Sequence, residues 1–392
     1  MNRADPEKNN TMRVLHCPNI IGGNPQGLAR AEREIGIKSW SVAERQNYFN
    51  YLADEILVTE KDSPLLLEWK RWRMLWRAIN EFDVIHFNWG QSIMPHKLLS
   101  GSKTARQYPK VIQSLYGFYS QFFELKDLPL LKKAGKGIVV TYQGDDIRQG
   151  DVSQAKFEIN FANEVDPGYY SEESDSHKRH RLAIFAQYAD RIFATTPDLL
   201  NFLPPQSQIL PKCHIDLREW LPINQENSLS KVPLIIHAPS HRQVKGTRFI
   251  VDVISRLKSD GVSLEFLLVE GVSHAEARKL YEKSDILIDQ LLAGWYGGLA
   301  VELMALGKPV ICYLREGDLK FLPAQMSKDL PIINATSITL YEVLKQLLTV
   351  RKHELPEIGR KSRAYVERWH DPLKIAERMK KEYESILLSK RK

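Results

Sequence analysis

Two stretches in the second half of the sequence place cations and paired glycines after short apolar runs. The first, residues 237–248 (HAPSHRQVKGTR), leaves the apolar residues 234–236, passes through a polar loop and enters a helical pattern. Open parallel sheets bind ligands beyond the carboxyl ends of their strands. Arg242 suits two-pronged contact with a phosphate and Lys245 adds a mobile point charge. A helix start beside them contributes free amides that also favour an anion. The second stretch, residues 289–313, carries Gly294, Gly297 and Gly298 before Leu299 and a helical run. Paired glycines let backbone approach a ligand closely. Glu302 falls about one turn into that helix and repels phosphate, so its role there would be to bind hydroxyls such as a ribose diol. Glu270 is a further candidate binding residue in this half of the chain. Alone, either stretch reads as solvated surface charge or as a packed turn. Together they point to an anion site.

The first half offers hydroxyl-handling candidates. Gly22 and Gly23 follow the opening strand without G-x-G-x-x-G spacing, so a dinucleotide fingerprint is weak. Residues 141–148 (TYQGDDIR) again follow a strand and present Gln143, Asp145 and Asp146. Carboxylates there could orient an attacking hydroxyl, or the turn could simply cap the next helix. His16, His86 and His237 end strands and read as buried, hydrogen-bonded imidazoles, with His86 also a candidate to touch an acceptor. No histidine spacing suits a structural metal or a metalloprotease.

The elements that must position these residues alternate. Strands are expected at 13–17, 84–87, 138–142 and 191–195, with helices at 26–35, 63–80, 128–134 and 177–189 between them. The stretch 204–230 breaks the rhythm with Pro204, Pro205, Pro211 and Pro222 and a polar run at 224–230. A second series follows: strands at 234–237, 264–269, 286–289 and 310–313, with helices at 247–257, 274–283 and 299–306. Alternation of this kind is the signature of parallel sheets with crossover helices. The expected organisation is a flexible leader (1–11), an N-terminal α/β domain (12–220) and a C-terminal α/β domain (221–372). A C-terminal helix with a basic tail (373–392) caps the second domain or crosses back to the first.

Composition narrows the class. The chain has 392 residues with 43% hydrophobic and 26% charged residues, close to an average globular protein. Three scattered cysteines, Cys17, Cys213 and Cys312, exclude a disulfide scaffold and fit a reduced cytoplasmic setting. The net charge of +7 favours anionic partners without choosing among them. The longest apolar region, 286–314, contains Asp289, Glu302 and Lys308 and reads as buried rather than membrane-spanning. Trp69, Trp72 and Trp76 recur at helical spacing among Lys70, Arg71, Arg73 and Arg77. The ordinary reading is a core-facing aromatic stripe. The alternative is a peripheral helix on the inner face of an anionic membrane. No nucleic-acid motif accompanies it.

The run GWYGGLAVELMALGKPV resembles the donor-site signature of family-four glycosyltransferases with the GT-B fold, and Lys245-Gly246 resembles that family's Lys-Gly pair. The resemblance implies an α/β protein of two Rossmann-like domains facing across a cleft, the N-terminal one on the acceptor side and the C-terminal one on the nucleotide-sugar side. It further implies transfer of a sugar from a nucleotide diphosphate sugar with retention, without metal or resident cofactor. Glu302 matches the ribose-contacting Glu and Lys245 the diphosphate-binding Lys. Gln143 stands where the family has His in His-Gly-x-Asp. Two positions depart: Gly294 replaces the family's first Glu, and Ser240 stands where its phosphate-binding Arg is expected, leaving Arg242 to substitute. Asp289 or Gln290 would replace the lost sugar contact. The acceptor is a glycan, a lipid-linked sugar or a small molecule. A nucleotide-sugar epimerase using Asp145, Asp146 and His241, and a scaffold that has lost chemistry, are the rival readings.

Overall fold

The computed structural model describes residues 11–46, 52–97, 110–222 and 232–391, with only the backbone of residues 111 and 112. The leader up to residue 10, the polar run 224–230 and Lys392 lie outside the described residues.

Two all-parallel sheets are present. The first comprises β1 (Arg13–Cys17), β2 (Lys38–Ala43), β3 (Glu55–Ile56), β4 (Val84–Asn88), β5 (Gly137–Tyr142), β6 (Arg191–Ala194) and β7 (Gln208–Ile209). Their order is β3-β2-β1-β4-β5-β6-β7. The second comprises β8 (Leu234–His237), β9 (Glu265–Leu268), β10 (Ile286–Ile288), β11 (Val310–Cys312) and β12 (Ile333–Asn334). Its order is β12-β11-β10-β8-β9. β4, β5, β10 and β11 are buried along their whole length, as expected of strands covered by helices on both faces. Every expected strand is found. β2, β3, β7 and β12 were not anticipated, because they are short or carry polar residues such as Ser39 and Ser41 on buried sites.

The helices that shape the site and surface are α1 (Asn24–Glu34), α2 (Pro64–Glu81), α3 (Lys110–Phe123), α4 (Glu172–Tyr188), α5 (Arg242–Lys245), α6 (Thr247–Ser259), α7 (Gly298–Ala305), α8 (Leu355–Trp369) and α9 (Pro372–Lys390). α9 starts where Asp371 accepts from the Leu373 amide at 2.9 Å, with Pro372 in the first turn. It crosses back to the first sheet. Ile375, Ala376, Met379, Tyr383 and Ile386 are buried with Val14, Leu28, Val84, Val139 and Phe193. Each large side chain buried there contributes roughly 1.5–3 kcal/mol.

Two expectations need correction. The tryptophan stripe of α2 does not face the core: Trp69, Trp72 and Trp76 are all exposed. The buried face is Leu67, Arg71, Met74, Leu75 and Ala78, with Arg71 paired to Glu44 at 2.8 Å and to Glu68. Helical spacing defines a stripe, but only packing decides which stripe is inside. His86 does not reach an acceptor either. Its Nδ1 bonds Tyr383 Oη and its Nε2 bonds Thr141 Oγ1, both at 2.7 Å, in the interior beneath α9. Since Tyr383 Oη donates to Glu32 at 3.0 Å, the His86 proton sits on Nδ1.

Candidate functional site

In both sheets the strand order reverses beside the first strand, at β1/β4 and at β8/β10. Such a switch point leaves a crevice at the strand ends, because the two loops there turn to opposite faces. The second sheet's switch point carries the two stretches singled out in the sequence.

His237 ends β8 and locks this corner. Its Nδ1–H donates to the Ile288 carbonyl at 2.7 Å, and its Nε2 accepts from Thr247 Oγ1 at 2.9 Å. Burial lowers its pKa to about 4, so it is a neutral strut between β8, β10 and α6. The Leu291 amide donates to the Lys245 carbonyl at 3.2 Å and ties the two loops together. Lys245 Nζ then lies 2.6 Å from Gln290 Oε1 and 3.3 Å from Asp289 Oδ1. The other oxygen of Asp289 accepts from the Gly297 amide at 2.5 Å, just before α7. Ammonium and helix-entry amide therefore converge on one buried carboxylate, the geometry that holds a phosphate oxygen.

The glycines have distinct reasons. A Cβ on Gly297 would stand 2.9 Å from Lys245 Nζ, so this residue is small to admit the ammonium. Gly294 has φ +79° and a Cβ there would stand 2.9 Å from the Arg315 guanidinium. The backbone and the space at that position both disfavour a glutamate.

Arg242 and Glu270 are brought together, but with each other. Their side chains form an ion pair in which Arg242 is 63% exposed, and among the described residues no hydrogen bond or ion pair joins the Arg242 side chain to Lys245, Asp289 or Gln290. Glu302 is buried on α7 and accepts from His274 Nε2 at 2.9 Å, while His214 Nε2 stands 3.4 Å away, too poorly aligned to bond. Burial alone would raise the Glu302 pKa, but the two imidazoles hold it below the usual range. The Glu302 hydrogen bond in turn raises His274. Gly298 faces His214, whose ring atoms would lie 3.5 Å from a Cβ there. Leu299 is half-buried on the first turn of α7.

In the first half, Gln143 Oε1 accepts from Asn24 Nδ2 at 2.9 Å and its Nε2 donates to Asn88 Oδ1 at 3.4 Å. The loop of Gly22 and Gly23 lies against Gln143, so β1, β4 and β5 meet here. Asp146 is buried and accepts from the Gln143 amide at 3.1 Å and the Gly144 amide at 2.7 Å. It thus caps its own turn; the next helix, 150–156, begins after Gln149 instead. Burial pushes its pKa up to about 6. Asp145 accepts from Tyr169 Oη at 2.5 Å and Tyr170 Oη at 2.9 Å.

The halves meet through the segment 159–170. Tyr169 and His241 have ring centroids 5.3 Å apart, Gln243 Nε2 donates to Asp166 at 2.7 Å, and Arg315 donates to the Ile159 carbonyl at 3.2 Å. Sequence reading missed Lys212 and His214, on the strand-less segment after β7. Lys212 is buried with its Nζ 3.3 Å from Thr195 Oγ1, and burial, with the Arg148 charge, lowers its pKa to about 7. Isolated basic residues in a proline-rich stretch give no signal. Trp89 was also missed: it directly follows β4 with φ +64°, unusual for a bulky residue, beside Gly144. Among the described residues no group of three or more His, Cys, Asp or Glu side chains could hold a metal ion.

No protein-family model matches the chain, and no curated protein matches it in sequence. Solved structures match it in fold. A sucrose-phosphate synthase from Thermosynechococcus elongatus aligns at 14% identity and TM-score 0.57, covering 97% of this chain and 100% of that one. HepE from Anabaena, in complex with UDP-glucose, aligns at 11% identity and TM-score 0.57, covering 95% and 100%. A glycosyltransferase from Rickettsia africae aligns at 12% identity and TM-score 0.55, covering 96% and 99%. At these identities the likeness is one of architecture: two Rossmann-like domains of the GT-B fold.

Proposed function

We propose that this protein is a glycosyltransferase that moves a hexosyl group, with retention, from a nucleotide diphosphate sugar to an acceptor hydroxyl. The observation that carries the reading is the convergence of Lys245 Nζ and the Gly297 amide on a single anionic group at the β8/β10 switch point. A diphosphate would take the place of the Asp289 carboxylate there. Fixed donors already aimed at an anion stabilise the charge that grows on a leaving diphosphate without further reorganisation. In this reading Glu302 receives the ribose hydroxyls, with Gly298 and Leu299 shaping the entry to α7. Arg242 contributes only if it exchanges Glu270 for phosphate. Gln143, Asp145 and Asp146, with the loop of Gly22 and Gly23, line the acceptor side.

The proposal assigns charge compensation to protein groups, so it requires neither metal nor resident cofactor. Turnover of UDP- and GDP-sugars is the test, with and without EDTA. The expected result is transfer that EDTA leaves unchanged, and binding of a nucleoside diphosphate that Lys245→Ala weakens. Loss of activity in EDTA, or diphosphate binding indifferent to Lys245, would sink the assignment. Release of an epimerised sugar without acceptor would favour the epimerase reading instead, and binding without any turnover the scaffold.

A further inference from the structure

α2 and α3 lie side by side on the first domain. Trp72 Nε1–H donates to Tyr119 Oη at 3.0 Å, and the Trp72 ring meets Phe123 edge-on with centroids 5.3 Å apart. Outside this seam both helices present apolar stripes to solvent. On α2, Leu65, Trp69 and Trp76 are 57–81% exposed. On α3, Leu115, Phe118 and Phe122 are 61–76% exposed. Seven large aromatic residues are exposed among the described residues, and five of them fall on these two helices. Single exposed apolar residues need no explanation, but a patch spanning two helices does. Nor is it a displaced core face, because α2 already buries its opposite side.

Exposed cations flank the patch. The helix α3 carries no Asp or Glu and begins with the exposed Lys110. On α2, Arg73 is exposed, lies 5.8 Å from the centroid of the Trp69 ring and has no ion pair among the described residues. A second copy docking through the same face would set these cations against their own counterparts. A neutral surface would leave them uncompensated. Indole rings with flanking cations suit the headgroup layer, where the ring spans the apolar boundary and the cation meets lipid phosphate.

We propose that the exposed face of α2 and α3 docks the protein onto a bilayer surface containing anionic lipid. No helix among the described residues is long and apolar enough to cross a membrane, so the contact is peripheral. The proposal goes beyond the glycosyltransferase reading and is tested without any nucleotide. The full chain is sedimented with vesicles of phosphatidylcholine alone or mixed with phosphatidylglycerol, at about 0.1 M and about 0.5 M salt. The expected result is binding to the anionic vesicles only, weakened by salt. Combined Trp69→Ser, Trp76→Ser, Phe118→Ser and Phe122→Ser substitutions should lower partitioning by about tenfold or more. Arg73→Gln and Lys110→Gln together should do the same and remain the deciding variant should the aromatic one not fold. Ile338→Ser with Val350→Ser, exposed apolar residues elsewhere, should change nothing. Equal binding to neutral vesicles, no binding, insensitivity to both variants, or self-association abolished by the same substitutions would each overturn the proposal.

Discussion

The Lys245 ammonium and the Asp289 carboxylate lie 3.3 Å apart, both largely withdrawn from solvent, at the point where a phosphate is expected. An internal carboxylate thus occupies the anion position, and any incoming diphosphate must displace it. The donors are pre-positioned as a result, but a competitor is built in.

Removing that competitor should therefore tighten ligand binding. Asp289→Asn keeps an oxygen for the Gly297 amide and drops the charge, so nucleoside diphosphate affinity should rise severalfold, about 1 kcal/mol. Lys245→Ala should weaken it by about 1.5–3 kcal/mol, the worth of a charged hydrogen bond. Calorimetric titration of both variants decides. Weaker binding by Asp289→Asn would show that the carboxylate holds the ligand rather than competing with it.

Gly297→Ala should separate site from fold. Its Cβ would press on Lys245 Nζ, the end of a flexible side chain, so the melting temperature should hold while diphosphate binding falls. Gly294→Ala should instead destabilise by about 1 kcal/mol or more, since φ +79° strains any side chain and the Arg315 guanidinium must shift. Thermal melts beside titrations distinguish the two.

Glu302 and His274 make stability depend on pH. The Glu302 pKa is lowered in the fold, so its contribution is present above the unfolded carboxylate pKa and is lost as pH falls through the folded value. The His274 pKa is raised, so its contribution is present below the unfolded imidazole pKa and is lost as pH rises through the folded value. The ion pair is complete between the two, from about pH 4.5 to about pH 6.5. Glu302→Gln should therefore cost more stability at pH 5.5 than at pH 8.5, by an amount on the order of 1 kcal/mol. An equal loss at both pH values would refute the coupling.

Asp146 should behave in the opposite sense. Its folded pKa of about 6 lies above that of an unfolded aspartate, so its charge opposes folding as pH rises from about 4 through that value. Asp146→Asn keeps an acceptor for the Gly144 amide and should gain relative stability at pH 8 over pH 4. Asp146→Ala should lose about 1–3 kcal/mol at either pH by orphaning the amides of Gln143 and Gly144. Paired melts at the two pH values measure both.

Much of the framework is legible in the sequence. β4, β5, β8 and β10 are near-continuous apolar runs because parallel strands are covered on both faces, and such runs stand out locally. The loops bearing Lys245 and Gly297 were legible for the same reason, since they directly follow those runs. β2 was not, because its buried Ser39 and Ser41 answer to Glu32 and Asp54, residues outside the strand. The α2 stripe shows the limit of periodicity. Trp69, Trp72 and Trp76 share a face, but so do Leu67, Arg71, Met74 and Ala78, and the latter turned inward once Glu44 supplied a partner for Arg71.

What the amino-acid order determined by itself was the alternation of strand and helix, and with it two parallel sheets carrying cations and glycines at their carboxyl ends. Periodicity and turn chemistry act over a few residues, so they can be read in one dimension. What only the tertiary structure decided was pairing: Asp289 rather than solvent facing Lys245, Glu270 rather than the site holding Arg242, and two histidines flanking Glu302. Those choices depend on distances between side chains far apart along the chain, and electrostatics acts on distance.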